Sequence, residues 1–241
     1  QADMARALHA APASSTAGTA GAEVRFVADL TCPWCFVSFV RLRRLLQPMD
    51  APLIWHPFLL NPHLPPQGIA RERYLGRAYG HPLQAQRVLA RLEALGRQEG
   101  IEFAFAAIRS QPGTDRAHAL VLEAAACGRT LEAVETIFRA FFTAGIDIGD
   151  LAWLRALAVE LGLPAEASAR IDDPHALAAV RIAHEQACGL GINGVPICVL
   201  GGDHVIAGAQ PTAALAALLD VERYRQTLAQ EHQAAQGRQA S

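Results

Sequence analysis

Two cysteines that lie three positions apart are the side chains of this sequence best suited to chemistry. They occur in the run Cys32-Pro33-Trp34-Cys35. In the first turn of a helix, cysteines at this spacing can form a disulfide, with the leading sulfur at the helix N-terminus and the second sulfur beneath it. The positive end of the helix favours a thiolate at the leading position. Because a thiolate is the nucleophile of thiol–disulfide exchange, the pair predicts redox chemistry.

The elements that must position this pair are a strand before it and a helix after it. β-Branched and aromatic residues predict a strand over Glu23–Leu30, and a largely apolar surface predicts a helix over Cys35–Leu46. Pro33 suits a first helical turn, because the N–H that proline lacks would be unpaired there. The hydroxyl of Thr31 is a candidate cap for this helix. The pair is therefore predicted at a strand-to-helix junction.

The alternative for these two cysteines is half of a zinc site. The other pair at ligand spacing is His184 with Cys188, one helical turn apart, and the four side chains would complete a ligand set. Structural zinc sites usually draw both halves from nearby loops, whereas these pairs are far apart in sequence. We therefore predict no metal site and keep a zinc-stabilised, non-catalytic binding module as the weaker hypothesis.

The other cysteines, Cys127, Cys188 and Cys198, each stand alone among alanines and aliphatic residues. The total of five is odd and lacks the close, even spacing of a small secreted disulfide scaffold. Unpaired cysteine is common in protein cores, so we predict three buried, inert thiols.

Composition excludes several classes of protein. Hydrophobic residues make up 51% of the 241 residues and charged residues 18%, which rules out a disordered chain. The net charge is −2, and the 21 basic residues, all arginine, are scattered, so we predict no nucleic-acid partner. No apolar run approaches the roughly 18 residues that a membrane span needs. We expect a cytoplasmic protein, because no export signal is visible.

The order of the predicted elements indicates an α/β fold. A flexible tail over 1–22 precedes a β-α-β half over 23–68, whose second strand, Leu53–Leu60, is expected to run parallel to the first. An all-helical insertion over 69–190 follows, then a β-β-α half over 191–229 and a frayed tail over 230–241. Neither half can bury its own faces, so we predict one mixed sheet with the helical block folded over it. The later elements are predicted at Pro82–Gln98, Thr114–Cys127, Leu131–Ala144, Asp150–Leu161, Pro174–Cys188, Val195–Leu200, His204–Ala207 and Pro211–Leu228, with the two strands joined by Gly201-Gly202-Asp203.

A second motif, Gly194-Val195-Pro196, enters the third long strand. Base rates alone favour a trans bond before Pro196. Combined with Cys-Pro-Trp-Cys after a strand that ends at Asp29, however, the motif resembles the DsbA-like thioredoxin-fold family, and more narrowly its FrnE-type branch. Weaker matches support the resemblance from about Val24 to Leu228. They are Leu60-Asn61-Pro62 through Gly68, Ala117-His118 and Gly208-Ala209-Gln210-Pro211.

The resemblance implies a role for each residue of the redox motif. Cys32 would be the nucleophile that forms mixed disulfides, and Cys35 the resolving thiol. Pro196 would be a cis proline packed against the pair. Val195 would offer its backbone to an extended substrate segment, a short form of strand addition.

Further residues are implied as substrate contacts or proton carriers. Pro33, Trp34 and Gln210 would contact substrate, although Gln210 could instead cap the last helix. Asp29 and His118 are candidate proton relays; the alternatives are a strand-end cap for Asp29 and an ordinary core histidine for His118.

One segment departs from the family pattern. Relatives usually carry Asn just before Thr ahead of the Ala-His pair, whereas this chain has Gly113-Thr114-Asp115, so the substrate-facing role of that loop is in doubt. Trp34 also differs from a basic residue at its position, because an indole adds no positive charge beside the thiolate. We therefore do not expect an extreme oxidant.

The function that follows is thiol–disulfide oxidoreduction on protein or small-molecule disulfides. The redox disulfide Cys32–Cys35 would serve in place of a bound cofactor, with glutathione as a candidate co-substrate. The rival on the same fold is a glutathione-dependent isomerase or transferase, but relatives of that type carry serine at the position of Cys32. Expected partners are thiol or disulfide substrates, with no nucleic acid and no membrane, and the protein is expected to be a monomer or homodimer.

Overall fold

The structure, a computed structural model, describes residues 23–49, 51–65, 67–200 and 204–239. The tail predicted over 1–22 and the turn Gly201-Gly202-Asp203 lie outside the described residues. The strands are β1 Val24–Ala28, β2 Leu53–Pro57, β3 Ile69–Ala70, β4 Ser110–Gln111, β5 Ile197–Leu200 and β6 His204–Ala207. The α-helices are α1 Pro33–Leu46, α2 Arg71–Tyr79, α3 Pro82–Gln98, α4 Asp115–Ala126, α5 Thr130–Ala144, α6 Leu151–Glu160, α7 Ala165–Arg170, α8 Pro174–Gly189 and α9 Thr212–Gln239.

The main sheet joins both ends of the chain. Its strand order is β2-β1-β5-β6, with β1 and β2 parallel and the other neighbours antiparallel. The parallel pair requires a crossover, which α1 supplies. Every residue of β1 is buried, as expected for a central strand covered on both faces. The predicted mixed α/β fold is confirmed, and the strand from the C-terminal half lies directly beside β1.

An aromatic cluster joins the helical block to the sheet. Phe36 of α1 stacks on Phe138 of α5 at 5.1 Å between ring centroids and on Phe142 at 5.8 Å. Trp55 of β2 meets Phe138 edge to face and Phe26 of β1 in the same way. These five rings are buried. Removing one buried phenylalanine from such a core typically costs about 3–5 kcal/mol, so the cluster strongly stabilises the position of α1.

Two parts of the chain differ from the sequence-based expectation. The block predicted to be all-helical contains the two-residue antiparallel pair of β3 and β4, too short to give a periodic signal. The final helix continues through Gln239, whereas we predicted its end at Leu228 and a frayed tail over 230–241. That tail is rich in Ala and Gln, which are good helix formers, so local propensity extends the helix.

Within the described part of the chain, no helix is both long and apolar enough to cross a bilayer.

Candidate active site

The two cysteines of the motif occupy the start of α1. Cys32 is the N-cap residue and has extended backbone angles, and Cys35 lies in the first turn. Both are free thiols. Cys32 keeps 4% of its surface exposed, whereas Cys35 has none. Burial, followed by the hydrogen bond and charge of Cys32, raises the pKa of the Cys35 thiol well above its usual value. The pair is therefore unequal: both cysteines are buried, but Cys32 keeps a small exposed area, whereas Cys35 is fully enclosed and its raised pKa keeps it protonated.

The strand-entry motif lies against the leading cysteine. The Val195–Pro196 peptide bond is cis, as the resemblance implied. The Sγ of Cys32 donates a hydrogen bond to the carbonyl oxygen of Val195 at 3.8 Å. Because β5 begins at Ile197 and pairs with β1, this segment is held at the end of the sheet from which α1 starts. The geometry places the backbone of residue 195 next to the sulfur of Cys32, the less buried cysteine of the pair.

A buried carboxyl lies beneath the pair. Oδ1 of Asp29 accepts hydrogen bonds from the backbone N–H of Thr31 at 2.7 Å and from its hydroxyl at 2.9 Å. Oδ2 accepts from the backbone N–H of Leu60 at 2.7 Å and from the Thr114 hydroxyl at 3.4 Å. Burial raises the pKa of Asp29 although these donors favour its charged form. Its charge in turn raises the pKa of Cys35.

These contacts correct one prediction and extend another. The hydroxyl of Thr31 bonds to Asp29, and the helix has no side-chain cap, so our assignment of Thr31 as the cap is wrong. Thr114, from the loop that departs from the family pattern, also bonds to Asp29. Asp29 thus joins the end of β1 to the loops that carry Leu60 and Thr114, and its role as a proton relay stays a prediction.

The other predicted substrate contacts are Pro33 and Trp34 in the motif itself and Gln210 in the loop after β6. Pro33 begins α1, and the indole of Trp34 is 42% exposed beside the cysteines, where a substrate could contact it. The side-chain amide of Gln210 instead donates to the carbonyl of Ala207 at 2.7 Å, which closes its own loop after β6. This amide is occupied in the described structure, and its role as a substrate contact stays a prediction.

His118 lies in the core. The indole N–H of Trp55 donates to its Nδ1 at 3.0 Å, and the side chain is fully buried. Burial lowers the pKa of His118 to about 3, with smaller contributions from His56 and His184. Neither its hydrogen bond nor the groups that perturb it include a thiol. The contacts match the core-histidine alternative rather than the proton relay.

The ligands of the zinc alternative do not assemble in the described residues. No group of three or more His, Cys, Asp or Glu side chains there could hold a metal ion. His184 and Cys188 do contact each other, with Sγ 3.7 Å from Nε2, as their spacing on a helix predicts. Our prediction of three buried single cysteines is wrong for Cys127 and Cys188, which are exposed, because helix faces cannot be assigned from isolated residues. Cys198 is buried.

A cleft elsewhere on the described part of the protein does not contain the cysteines. It has a volume of about 780 Å³ and runs along β2 between α4, α5 and α8. Its lining includes Trp55 and His56 but neither cysteine of the motif. No cysteine lines this cleft, so thiol chemistry cannot take place in it. We therefore take the cysteine pair as the candidate active site.

Sequence reasoning missed three residues near the site, all on α2. Tyr79 lies close enough to Cys32 for the thiolate charge to raise the pKa of its hydroxyl, an effect smaller than that of burial. Tyr74 hydrogen-bonds to Asn61 and feels the charge of Asp29. Arg71 lies with its guanidinium carbon 5.1 Å from the centre of the Tyr74 ring. The available signal was the occurrence of two of the chain's three tyrosines within this short segment.

The fold and the cysteine pair agree with the family comparison. A model described as the DSBA-like thioredoxin domain matches residues 23–220, so the chain belongs to the DsbA-like thioredoxin family. This family acts on thiols and disulfides, and the chain has the fold of a thiol–disulfide oxidoreductase. The FrnE-type branch stays a prediction.

Individual relatives share most of the chain. YwbO of Bacillus subtilis, described as uncharacterized, is 27% identical over 195 residues, 77% of this chain and 90% of that protein. The crystal structure of a probable DsbA oxidoreductase, SCO1869 from Streptomyces coelicolor, gives a TM-score of 0.74 at 28% identity, covering 83% of this chain and 89% of that one. The cytosolic disulfide reductase DsbM from Pseudomonas aeruginosa, solved with GSH, gives 0.57 at 17% identity over 87% and 99% of the two chains, and shares the fold.

Proposed function

We propose that this protein is a thiol–disulfide oxidoreductase in which Cys32 exchanges disulfides with substrate and Cys35 resolves the mixed disulfide. The observation that carries the proposal is the inequality of the pair. Cys32, at the N-terminus of α1, keeps 4% of its surface exposed, whereas Cys35 is fully enclosed. Because a thiolate attacks and needs access, only Cys32 can meet a substrate disulfide without a change in the fold.

Each half-reaction conserves atoms and electrons. In reduction, the Cys32 thiolate attacks a substrate disulfide, forms a mixed disulfide and releases one substrate thiolate. Cys35 then loses its proton and attacks Sγ of Cys32, which forms the Cys32–Cys35 disulfide and releases the second substrate thiolate. Two electrons pass from the pair to the substrate. Oxidation of a substrate dithiol follows the same steps in reverse.

Three neighbours support this cycle. The Val195 carbonyl beside Cys32 can pair with the backbone of an extended substrate, which would align the substrate sulfur with Sγ. The exposed indole of Trp34 offers an apolar contact at the same edge. Asp29 can accept the proton that Cys35 loses, since its pKa is raised towards that of the thiol. The similarity to the probable DsbA oxidoreductase of Streptomyces coelicolor agrees with this assignment.

The chemistry needs no bound metal or organic cofactor, because the pair itself stores the two electrons. We propose glutathione as a thiol co-substrate that regenerates the pair. Protein and small-molecule disulfides are both proposed substrates, and the cytoplasmic location and the monomer or homodimer state stay predictions.

The test is turnover by the wild-type protein and by Cys32→Ser. Reduction of insulin disulfides and oxidation of a reduced dithiol peptide should both be lost in Cys32→Ser. Cys127→Ser is the matched control, because Cys127 is exposed but lies outside the motif, and its activity should be unchanged. Unchanged activity in Cys32→Ser would refute the proposal. A redox titration of the pair against glutathione would then assign the direction of electron flow.

A further inference from the structure

A buried guanidinium without an acidic partner lies at the start of α2. Arg71 is 9% exposed, and among the described residues its one side-chain hydrogen bond is from Nη1 to the Oε1 of Gln111. No ion pair involves Arg71 in that part of the chain. Its Nε is buried and has no partner. A buried guanidinium is costly unless a carboxylate or another anion compensates its charge, so this arrangement requires an explanation.

Gln111 adds a second unpaired donor beside the first. An arginine can only donate, so Oε1 of Gln111 must face Arg71, and the remaining polar atom of this amide is the nitrogen Nε2. That Nε2 is buried and has no partner. Both unpaired atoms are donors, so what the pair lacks is an acceptor. An oxyanion supplies both the acceptor oxygens and the opposite charge.

The surrounding backbone holds the two side chains together. Strand β3 ends one residue before Arg71 and pairs with β4, which ends at Gln111. The backbone N–H of Arg71 donates to the carbonyl of Arg109 at 3.0 Å, which continues this ladder by one residue. At Gly68, φ is +70°, and a Cβ would lie 2.4 Å from the carbonyl oxygen of Gln111. The close approach that requires glycine here brings the two strands together.

The donor pair lies on the same side of the protein as Cys32. Thr114, three residues after Gln111, bonds through its hydroxyl to Asp29, and the carbonyl of Asp29 accepts from the backbone N–H of Cys32 at 3.1 Å. The ring of Tyr74 packs against the Arg71 guanidinium. The Tyr74 hydroxyl hydrogen-bonds to Asn61; burial raises its pKa, and the charge of Asp29 raises that pKa slightly further. Tyr74 and Tyr79 are both partly exposed, so the cluster lies just below the surface. The donor pair therefore borders the loops that hold Asp29 beside the cysteine motif.

We propose that Arg71 and Gln111 bind the carboxylate of an anionic thiol or disulfide substrate while its sulfur reacts at Cys32. This inference rests on the proposed function and adds the charge of the preferred substrate. Arg71 is a specificity-determining residue, because it acts on binding and carries no electrons. A planar carboxylate can accept from the guanidinium and the amide together.

The test compares small disulfides of different charge in the Cys35→Ser background, which isolates the first exchange step. The probes are 3,3′-dithiodipropionate, neutral 2-hydroxyethyl disulfide and cationic cystamine, and the measurement is the second-order rate constant for the mixed disulfide at Cys32. We expect Arg71→Met to lower the ratio of the anionic to the neutral rate roughly tenfold, equivalent to about 1.4 kcal/mol. Arg71→Lys should give a ratio between those of Arg71→Met and the parent. Lysine keeps the positive charge but cannot donate two parallel hydrogen bonds as a planar guanidinium does.

The matched control is Arg73→Met, which removes the same charge from an exposed position on the same helix. It should leave the ratio near that of the parent. A ratio is used because any partial loss of folded protein affects both probes equally. If Arg71→Met and Arg73→Met change the ratio equally, the proposed site is wrong. If no probe reacts with the parent, the proposed oxidoreductase function is wrong. This result differs from the one that would exclude only the carboxylate site at Arg71.

A second arm identifies the source of the carboxylate. Blocked peptides with one activated disulfide beside Glu or Gln are compared in the same variants. If the Glu peptide reacts faster than the Gln peptide and Arg71→Met abolishes the difference, the carboxylate that Arg71 binds belongs to a polypeptide side chain. If only dithiodipropionate reacts faster than its neutral counterpart, the carboxylate belongs to a small acid. Equal rates for every anionic and neutral pair in the parent would overturn the inference.

Discussion

The sulfur of Cys32 lies 3.8 Å from the carbonyl oxygen of Val195, a residue 163 positions further along the chain. The contact joins the start of α1 to the segment that enters β5. Since β5 pairs with β1, the strand that leads into the cysteines, one sheet positions both partners. A substrate bound to the Val195 backbone would thus meet the more accessible sulfur of the pair.

The unequal burial of the cysteines predicts which of them traps substrate. Cys35→Ser should accumulate a mixed disulfide at Cys32, because nothing remains to resolve it. Cys32→Ser should accumulate little, since Cys35 is fully buried. Mass spectrometry after incubation with a disulfide peptide measures both adducts. An adduct found only in Cys32→Ser would reverse the assigned roles.

Asp29 is predicted to take up the proton of Cys35 during resolution. Asp29→Asn should slow decay of the mixed disulfide about 100-fold, the lower end of the range for general acid–base effects. The wild-type rate should fall as the pH drops through the raised pKa of Asp29, and the variant should lack that limb. Stopped-flow decay rates across pH provide the measurement. Asp150→Asn, which changes an exposed helix cap, is the control, and an identical pH profile in Asp29→Asn would exclude the relay.

Asp29 also has a stability signature. Its pKa is higher in the folded than in the unfolded protein, so its titration stabilises the fold below the unfolded pKa and this contribution is lost as the pH rises through the folded pKa. The free energy of unfolding of wild type relative to Asp29→Asn should therefore decrease as the pH rises. A difference that is constant with pH would contradict the raised pKa.

The contribution of His118 to stability should depend on pH in the opposite direction to that of Asp29. Its pKa of about 3 in the fold lies below the usual value of 6.5, so its contribution is complete above pH 6.5 and is lost as the pH falls. Below pH 6.5 the expected slope is about 1.4 kcal/mol per pH unit for this one group. In urea unfolding at several pH values, His118→Leu should remove that slope although it lowers stability at pH 7. His175→Ala, at an exposed position, should retain the wild-type slope.

Two arginines that share one carboxylate should differ in their effect on stability. Arg41 bonds to Glu99 at 2.7 Å and to the carbonyls of Ala209 and Gln210, and its side chain is 9% exposed. Arg44 also bonds to Glu99 but is 50% exposed. Arg41→Met should cost about 2 kcal/mol, because it removes a charged donor from three part-buried acceptors. Arg44→Met should cost below about 1 kcal/mol, as solvent screens the pair. Chemical denaturation measures both, and equal losses would contradict this account.

The sequence predicted well where the signal is local. Helix α3 and strand β6 have the predicted bounds, and α1 begins at Pro33, two residues before the predicted start. Periodicity and proline position act within a few residues, so they can be seen without the fold. The pair β3 and β4 and the burial of the single cysteines could not be predicted, because two-residue strands and isolated side chains have no period.

By itself, the sequence determined the cysteine pair at a strand-to-helix junction and the two β halves around a helical block, since apolar spacing and backbone-restricting residues act locally. Only the tertiary structure decided that Val195 faces Cys32, that Cys35 is the enclosed thiol and that Arg71 meets Gln111 without an acidic partner. These relationships join residues far apart in the chain. Their distances and solvent access depend on how the sheet and helices pack, which no single segment encodes.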